Sequence, residues 1–374
     1  MITKLGSVIT EYSVRNKKDE DIPVYSVTNE QGFCTGYFSK DVASKDRTTY
    51  KIVPRGYFAY NPSRINVGSV DWQDCEDRVI VSPLYVVFGV DKKLDQQYLL
   101  HYLKSDITLT YIKALATGSV RDNLKFSVLR EFPINLHPID DQRKIAAVLD
   151  RVDRLIDLRK EELNALDNLV KSRFIELFEC KPWETTRAGT IMFNMRNGVS
   201  PSNVGTHPAK VLTLSAITQG DFDPDAWKDG MFDTVPPIEK RVMASDFYMC
   251  RGNGNKNLVG AGVYSKEDRY DLVFPDTAIA ATVDLQRACL PYLFHAWKRP
   301  SVREQIEMGA RTTNGTYKIN QGVVSNVELI LPPLELQKQF AAFVEQTDKS
   351  KLAVQKSLDE LEILKKSLMQ QYFG

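Results

Sequence analysis

Side chains that can hold phosphates and read base edges concentrate in two stretches of the first part of the chain. One is the basic run that ends in residues 61–68, and the other is the segment 117–125. Arginine and lysine bind phosphates and guanine edges, and asparagine can hold adenine by two hydrogen bonds. These stretches supply a first set of candidate DNA-binding residues: Lys45, Arg47, Lys51, Arg55, Asn61, Ser63, Arg64, Asn66, Ser119, Arg121 and Lys125.

Two stretches of similar composition occur in the second half of the chain. Residues 251–257 mix glycine with asparagine, and glycine lets backbone N–H groups approach a phosphate closely. Any one of these polar residues is typical of a solvated turn, but their recurrence at corresponding places favours a binding role. Together with residues 309–318, this stretch supplies the second set of candidates: Arg251, Asn253, Asn255, Lys256, Arg311, Thr313, Asn314 and Lys318.

The sequence lacks the residue patterns of enzymes that act on nucleic acids. The glycine-rich stretch 252–256 has neither the spacing of a P-loop nor the hydroxyl residue that follows its lysine. Asn61-Pro-Ser-Arg64 only partly matches the D/N-P-P-Y tetrapeptide expected of a base-amino methyltransferase. No lysine accompanies the acidic residues near Asp276 as in a metal-dependent nuclease, and the four histidines lack metal-ligand spacing. We therefore predict no catalytic, metal-binding or cofactor-binding residue.

The chain contains an internal duplication with an offset of 195 residues. Pro138 aligns with Pro333, and the register continues without a gap to Phe178 and Phe373. Upstream the halves are related more loosely. Residues 98–104 and 292–298 each predict a short amphipathic helix, with His101 and His295 in matching positions as packing or capping residues. The order is therefore variable domain, long helix, variable domain and long helix.

Each long helix is predicted from an uninterrupted apolar pattern. No proline or glycine occurs in residues 139–178 or 334–373, and apolar residues follow the 4,3 spacing of a coiled-coil seam. About 40 residues make a helix of roughly 60 Å. We expect the two helices to pair antiparallel with one domain at each end; the alternative is that each packs on its own domain as ordinary core. The predicted seam is Ile145, Leu149, Val152, Ile156, Arg159, Leu163, Leu166, Val170 and Leu177, then Phe340, Val344, Thr347, Lys351, Val354, Leu358, Leu361, Lys365, Leu368 and Tyr372.

Composition excludes several classes of protein. A net charge of +1 argues against a protein that coats nucleic acid or membranes through bulk charge. That charge is unevenly distributed, because segments 40–64, 104–130, 240–256 and 298–318 hold 20 of the 49 basic residues and only 7 of the 48 acidic ones. No signal peptide or membrane-spanning run is recognisable, which predicts a cytoplasmic protein. Five scattered cysteines without a C-x-x-C pair predict neither disulfides nor a zinc site.

The duplication and the helix pattern together predict the architecture. We expect an α+β fold in which two similar α/β domains are separated by two long antiparallel coiled-coil helices, related by a pseudo-two-fold internal repeat. The first domain is predicted at residues 1–136 and the first helix at 137–180. The second domain is predicted at 181–331 and the second helix at 332–374.

Three segments resemble the specificity subunits of type I restriction-modification systems: Pro138-Ile-Asp-Asp-Gln-Arg-Lys-Ile-Ala-Ala-Val-Leu-Asp150, Pro333-Leu-Glu-Leu-Gln-Lys-Gln-Phe-Ala-Ala-Phe-Val344 and Asn61-Pro-Ser-Arg-Ile-Asn-Val-Gly-Ser69. The resemblance covers essentially the whole chain. It implies two target recognition domains, each of which reads half of an asymmetric bipartite site in double-stranded DNA. It further implies helices that act as a spacer and dock two methyltransferase subunits, with restriction (translocase-endonuclease) subunits joining that core. AdoMet, ATP and Mg²⁺ would then belong to those partners.

Two other functions remain open from the sequence. A stand-alone DNA methyltransferase or nuclease with its own recognition domains would show turnover as the purified chain alone, with AdoMet or Mg²⁺ supplied. A coiled-coil interaction protein without a DNA function would show no sequence preference in a salt-dependent binding assay. The hypothesis favoured over both is a non-catalytic scaffold that recognises a DNA sequence and recruits enzymes to it.

Overall fold

The computed structural model describes residues 1–36, 47–115, 123–313 and 315–374. The chain forms two compact units. Unit 1 comprises Met1–Glu162 and Val354–Gly374, and unit 2 comprises Leu163–Ala353. Two long helices continue through the borders of these units, so each unit contains the beginning of one long helix and the end of the other. Within the described ranges, no helix has the length and apolar character needed to cross a membrane.

Unit 1 is built on a four-stranded antiparallel sheet of order β2-β9-β6-β7, with three further strand pairs, β1 with β10, β3 with β4 and β5 with β8. Its strands are β1 (Ile2–Lys4), β2 (Ile9–Glu11), β3 (Ser26–Thr28), β4 (Gly32–Cys34), β5 (Lys51–Pro54), β6 (Phe58–Tyr60), β7 (Val70–Trp72), β8 (Arg78–Val81), β9 (Val86–Val90) and β10 (Pro133–Asn135). Its helices are α1 (Gln96–Lys104), α2 (Asp106–Leu115), α3 (Phe126–Leu129) and the first part of α4 (Ile139–Phe174).

Unit 2 repeats this plan around the sheet β12-β20-β16-β18 and adds the sheets β14-β13-β19-β15 and β17-β22-β21. Its strands are β11 (Thr185–Arg187), β12 (Met192–Asn197), β13 (His207–Leu212), β14 (Trp227–Phe232), β15 (Arg241–Val242), β16 (Asp246–Cys250), β17 (Gly252–Asn253), β18 (Gly262–Tyr264), β19 (Arg269–Val273), β20 (Ala278–Val283), β21 (Arg311–Thr313), β22 (Thr316–Lys318) and β23 (Glu328–Ile330). Its helices are α5 (Ser215–Thr218), α6 (Leu290–Trp297), α7 (Pro300–Gly309), α8 (Gln321–Asn326) and the first part of α9 (Leu334–Phe373).

The central sheets of the two units are equivalent strand by strand. In unit 1, β2 follows a short 3-10 turn and pairs with β9, the last strand before α1; in unit 2, β12 follows such a turn and pairs with β20, the last strand before α6. The pair β11 and β23 of unit 2 corresponds to the pair β1 and β10 of unit 1. All five residues of β16 are buried, as are all three of β6, because both faces of each central sheet are covered. The predicted α+β fold with an internal repeat is confirmed, and the predicted domain boundaries stay predictions.

Part of the predicted apolar seam lies buried in each unit. In unit 1, Ile145, Leu149, Val152 and Ile156 of α4 and Val354 and Leu358 of α9 are buried. In unit 2 the same is true of Val170, Phe340, Val344 and Thr347. Near the helix ends the buried residues are instead Phe174, Phe178, Met369 and Phe373, whereas the predicted Leu177, Leu368 and Tyr372 are half-buried. Within unit 2 the pairing is antiparallel, because Asp167 contacts Lys351 while the later Phe174 contacts the earlier Phe340.

The lysines in the seam of α9 are neutralised by aspartates of α4. In unit 1 the Lys365 Nζ lies 2.6 Å from the Asp153 carboxylate, and in unit 2 the Lys351 Nζ lies 2.5 Å from the Asp167 carboxylate. All four side chains are partly exposed to solvent, so neither ion pair bears the full desolvation cost of a buried charge. The polar interruptions predicted from the sequence are therefore compatible with the helix pairing.

An aromatic residue near the end of each long helix packs against the first full helix of a unit. In unit 1 the Phe373 ring centre lies 5.1 Å from that of Tyr98 and 5.7 Å from that of Tyr102, both in α1. In unit 2 the Phe178 ring centre lies 4.9 Å from that of Tyr292 in α6. Phe178 and Phe373 are related by the offset of 195, so the duplicated sequence places the same contact in each unit.

A buried glutamine in the first turns of each long helix binds the backbone segment that precedes α1 in unit 1 and α6 in unit 2. The Gln142 side chain accepts a hydrogen bond from the Asp95 N–H at 2.9 Å and donates to the carbonyls of Lys93 and His137. Gln337 repeats this set with the Cys289 N–H and the carbonyls of Arg287 and Pro332. Both side chains are fully buried, so each glutamine satisfies backbone groups that have no access to water.

Replacing Gln142 with leucine is expected to destabilise the protein by about 2–4 kcal/mol, because one N–H and two carbonyls lose their partner. Gln142→Glu should also destabilise it, since a carboxylate accepts from the Asp95 N–H but donates to neither carbonyl. Urea unfolding followed by circular dichroism measures both effects. Gln355→Ala, at an exposed position of α9, is the control and should change stability by less than about 0.5 kcal/mol. A Gln142→Leu protein as stable as the wild type would contradict this role.

Candidate nucleic-acid interface

The loop 61–68 of unit 1 connects β6 to β7. The Asn61 N–H donates to the Ser69 carbonyl and closes the loop. Inside it, residues Ile65–Val67 form a 3-10 turn that ends at Gly68, whose φ of +87° is a left-handed conformation. Arg64, at the start of the turn, is exposed. The turn thus holds Arg64 at the surface on a backbone that is fixed at both ends.

Unit 2 has the same loop between β16 and β18. The Cys250 N–H donates to the Ala261 carbonyl, the 3-10 turn is Lys256–Leu258, and Gly260 has a φ of +71°. Cys250 therefore corresponds to Asn61 and Gly260 to Gly68. The correspondence of these two loops, predicted from the sequence, is confirmed by their hydrogen bonds.

In each unit an equivalent backbone hydrogen bond joins this loop to the second candidate segment, and in unit 2 the pairing of β17 with β22 extends the connection. The Leu124 N–H donates to the Pro62 carbonyl at 3.1 Å, and the Ile319 N–H donates to the Arg251 carbonyl at 2.9 Å. Leu124 and Ile319 are separated by the offset of 195 and both are buried. The two stretches that the sequence presented separately thus lie side by side in each unit, and we call their described residues the loop platform (61–68 with 123–125, and 251–260 with 311–313 and 315–319).

Three of the predicted residues of unit 1 lie away from the loop platform, around β5. The Arg47 guanidinium lies 3.9 Å from the Asp21 carboxylate, and the Arg55 Nε donates to the Glu76 carbonyl at 3.2 Å. The Lys51 Nζ donates to the Tyr85 carbonyl at 2.6 Å, and burial lowers the pKa of this ammonium group. These cations therefore have partners inside the protein.

The other predicted residues of unit 1 lie on its loop platform. The Asn61 carboxamide oxygen accepts from the Ser63 N–H, and the Ser63 hydroxyl donates to the Asn123 side chain at 2.7 Å. Arg64 and Lys125 are exposed, and neither has an ion-pair partner among the described residues. Asn66 is half-buried in the 3-10 turn. Arg64 and Lys125 are therefore the cations of this platform that remain available to a ligand.

The unit 2 platform divides its residues between shaping the loop and facing solvent. The Arg251 guanidinium donates to the Asp276 carbonyl at 3.1 Å, and the Lys256 Nζ lies 3.6 Å from the Glu307 carboxylate. Asn253 and Asn255 each accept the N–H of the residue two positions later, as in an Asx turn. Arg311 and Lys318 are exposed on paired strands, so they carry the available charge of this platform.

Some predicted residues lie outside the described part of the chain: Lys45, Ser119, Arg121 and Asn314. The backbone of Thr313 pairs with Thr316, but its side chain also lies outside that part. One contact was missed from the sequence, namely Asn123 with Ser63. The offset of 195 could have revealed it, because Asn123 aligns with the candidate Lys318.

The matched histidines occupy corresponding positions of α1 and α6 but have different surroundings. The His101 Nε2 lies 2.8 Å from the Asp150 carboxylate, and burial lowers the pKa of its ring. His295 lies among aromatic rings, 5.2 Å from the ring centres of Phe294 and Phe340, and burial lowers its pKa to about 4. Within the described ranges, no group of three or more His, Cys, Asp or Glu side chains is placed to hold a metal ion. The packing role predicted from the sequence is seen for His295, whereas His101 makes a polar contact with α4.

The two left-handed glycines offer a matched test of the loop geometry. Gly68→Ala should cost about 1 kcal/mol, because an L-residue at positive φ is strained while the space around Gly68 is open. Gly260→Ala should cost more, since its new Cβ would lie 2.5 Å from the Ile306 side chain. Thermal unfolding of both variants measures the difference. Equal stability of the two variants would contradict the close packing at Gly260.

The sequence matches one protein-family model and is similar to two characterised proteins. Residues 6–168 match the family model described as the type I restriction modification DNA specificity domain. The chain is similar to the type I restriction enzyme EcoKI specificity subunit of Escherichia coli (strain K12), with 24% identity over 283 residues that cover 70% of this chain and 60% of that protein. The StySPI specificity subunit of Salmonella potsdam is 20% identical over 68% of this chain and 59% of its own length. The matches thus span about 60% of the curated relatives.

Solved structures agree at the level of the fold. A crystal structure of a type I restriction-modification S subunit from M. genitalium has a TM-score of 0.58 at 15% identity, covering 100% of this chain and 96% of its own. A chain from a structure that concerns complex assembly and conformational transition of the type I R-M system has a TM-score of 0.61 at 17% identity, covering 100% of this chain and 97% of its own.

Proposed function

We propose that this chain, whose residues 6–168 belong to the type I restriction-modification DNA specificity domain family, is the specificity subunit of a type I complex in the bacterial cytoplasm. Its two domains each read one half of a bipartite target in double-stranded DNA. The chain itself carries out no catalysis. The methyltransferase and restriction subunits that it recruits would hold AdoMet, ATP and Mg²⁺ and perform methylation and cleavage.

The observation that carries this proposal is the pair of loop platforms on one duplicated scaffold. The hydrogen bond from Leu124 to Pro62 recurs as that from Ile319 to Arg251, so both units support an exposed loop in the same way. The side chains on that support differ, with Arg64 and Lys125 in unit 1 and Arg311 and Lys318 in unit 2. An equivalent backbone with different polar side chains suits two readers of different sequences, which makes the target bipartite and asymmetric.

Docking of the enzyme subunits on the long helices is supported by exposed apolar side chains outside the seam. The outer surfaces of the helices carry Val148, Leu155, Leu158 and Leu169 in α4, and Leu352, Ile363 and Leu364 in α9. Val148 and Leu155 are one heptad apart, and Leu169 follows two heptads later on the same face. Apolar residues repeated along an exposed helix face are typical of a protein-binding surface. We assign this surface to the methyltransferase subunits.

The proposal is tested by reconstituting the chain with its methyltransferase subunits and selecting bound duplexes from a random library. The selected sequences should contain two short specific parts separated by a non-specific spacer. Complexes that select no sequence would contradict the DNA function. Methyl transfer or cleavage by the purified chain alone, with AdoMet or Mg²⁺, would instead support a stand-alone enzyme.

Arg64→Ala is expected to weaken binding by about 1–3 kcal/mol if Arg64 reads a base in the half-site of unit 1, and to relax selection at that half-site only. Fluorescence anisotropy with duplexes altered in one half-site measures the effect. Arg55→Ala is the matched control, because this arginine has partners inside unit 1. Arg64→Ala should leave assembly with the methyltransferase intact, and loss of assembly would show that Arg64 is structural.

The long helices are proposed to set the spacer length. Seven residues inserted into both α4 and α9, at the unit borders after Glu162 and Ala353, keep the seam in register. The insertion adds about 10 Å of helix, which corresponds to about three base pairs of DNA. Methylome sequencing should then report a longer spacer between unchanged half-sites. An unchanged spacer would contradict the spacer role of the helices.

A further inference from the structure

The sheet β17-β22-β21 of unit 2 aligns two cations and a glycine in one row. Lys318 is the direct partner of Arg311 on one side and of Gly252 on the other. The next row contains Thr312, Tyr317 and Asn253. Side chains of directly paired residues point to the same face of a sheet, and those of successive residues point to opposite faces. Arg311 and Lys318 therefore share one face, and Tyr317 lies on the other.

The face that carries the two cations is the one turned to solvent. Tyr317 is half-buried and packs against the hydrophobic core of unit 2, whereas Arg311 and Lys318 are exposed. Among the described residues neither cation has a hydrogen-bond or ion-pair partner for its side chain. Like charges on directly opposed strand positions destabilise a sheet. The two cations of this row therefore repel each other in the free protein, and a bound anion would reduce that repulsion.

Gly252 leaves space beside these cations. A Cβ at this position would lie 3.2 Å from the Lys318 Cγ, so the glycine allows the lysine stem to lie close to the backbone of β17. Apart from Gly252, the row contains only cations, so it supplies donors and no side-chain acceptor. A phosphate group accepts hydrogen bonds on all sides and therefore matches a site made of donors alone.

Unit 1 has a neutral pair at the corresponding row. Since Pro62 corresponds to Arg251 and Leu124 to Ile319 through their shared hydrogen bond, Ser63 corresponds to Gly252 and Asn123 to Lys318. Ser63 and Asn123 hydrogen-bond to each other at 2.7 Å. The same position of the duplicated scaffold thus holds a satisfied neutral contact in one unit and an unpaired cation beside a glycine in the other.

We propose that Arg311 and Lys318, beside the space left by Gly252, form a clamp for one DNA backbone phosphate. The clamp positions unit 2 on its half-site without reading a base, whereas the described residues of the equivalent row in unit 1 are the neutral pair Ser63 and Asn123. This inference rests on the proposed DNA function. It assigns the two exposed cations of the unit 2 platform to orientation, and leaves base reading to other side chains of that platform.

The test transfers the neutral pair of unit 1 to unit 2. The variant Gly252→Ser/Lys318→Asn/Arg311→Gln is assembled with the methyltransferase subunits, and its affinity for a random-sequence duplex is measured by fluorescence anisotropy between about 50 and 200 mM salt. Loss of one phosphate contact should lower the magnitude of the slope of log K against log salt by about 0.9. The sequences selected from a random library should stay the same.

Two further variants make the result specific. Lys228→Gln removes an exposed cation from β14 of the same unit and should leave the slope unchanged. The reverse exchange in unit 1, Ser63→Gly/Asn123→Lys, should increase the slope by up to about 0.9. Thermal unfolding of each variant verifies that it is folded, and the gain expected in unit 1 cannot arise from misfolding.

Each outcome separates the clamp from the proposed function. An unchanged slope in the unit 2 variant, with sequence selection retained, would overturn the clamp while leaving the DNA-recognition function in place. Relaxed selection at one base position would show that Arg311 or Lys318 reads a base and would also overturn the clamp. If the wild-type complex selects no sequence at all, it is the proposed function that fails.

Discussion

The contact on which both units depend is an aromatic ring supplied from near the end of a long helix. Phe373 lies against Tyr98 and Tyr102 in unit 1, and Phe178 lies against Tyr292 in unit 2. Each ring enters a core that also contains residues from distant parts of the sequence. Unit 1 is therefore incomplete until the last residues of the chain are in place. The end of α9 thus belongs to unit 1 and the end of α4 to unit 2, so each unit contains the end of the long helix that begins in the other; we call this the exchange of helix ends.

This exchange also explains how the loop platforms are held. Gln142 and Gln337 fix the first turns of the long helices to the backbone just before α1 and α6. The short helices α1 and α6 contain the tyrosines that pack against Phe373 and Phe178, respectively. The platforms are attached to the central sheets, and the buried residues Leu124 and Ile319 anchor them. The polar loops can thus change their side chains without altering the contacts that hold the fold together, which suits a protein whose target differs between its two halves.

Local and periodic features of the structure could be predicted from the sequence. The long helices and the helices at residues 98–104 and 292–298 follow from spacing within one segment, and α1, α4, α6 and α9 confirm them. The offset of 195 follows from comparison of the two halves of the sequence. The lysines of the seam, in contrast, have their partners, Asp153 and Asp167, on the other helix. A contact between distant segments has no signature in either segment alone.

In the candidate site, too, features within one segment could be predicted from the sequence, whereas contacts between distant segments could not. The sequence identified the two polar stretches of each domain, but the hydrogen bonds that join them depend on tertiary structure. It also grouped Arg47, Lys51 and Arg55 with Arg64, although the first three have partners near β5. Basic residues in sequence proximity indicate a positive region, whereas their availability depends on carboxylates and carbonyls that the fold brings to them.

The most direct test of the exchange of helix ends is hydrogen–deuterium exchange on a chain truncated after Ala353. Unit 2 lies wholly within the residues that remain, whereas unit 1 loses the segment that contributes Met369 and Phe373 to its core. The amides of α1 and β9 should lose their protection, while those of β16 and β20 keep it. Full protection of α1 and β9 in the truncated chain would contradict the claim that the end of α9 completes unit 1.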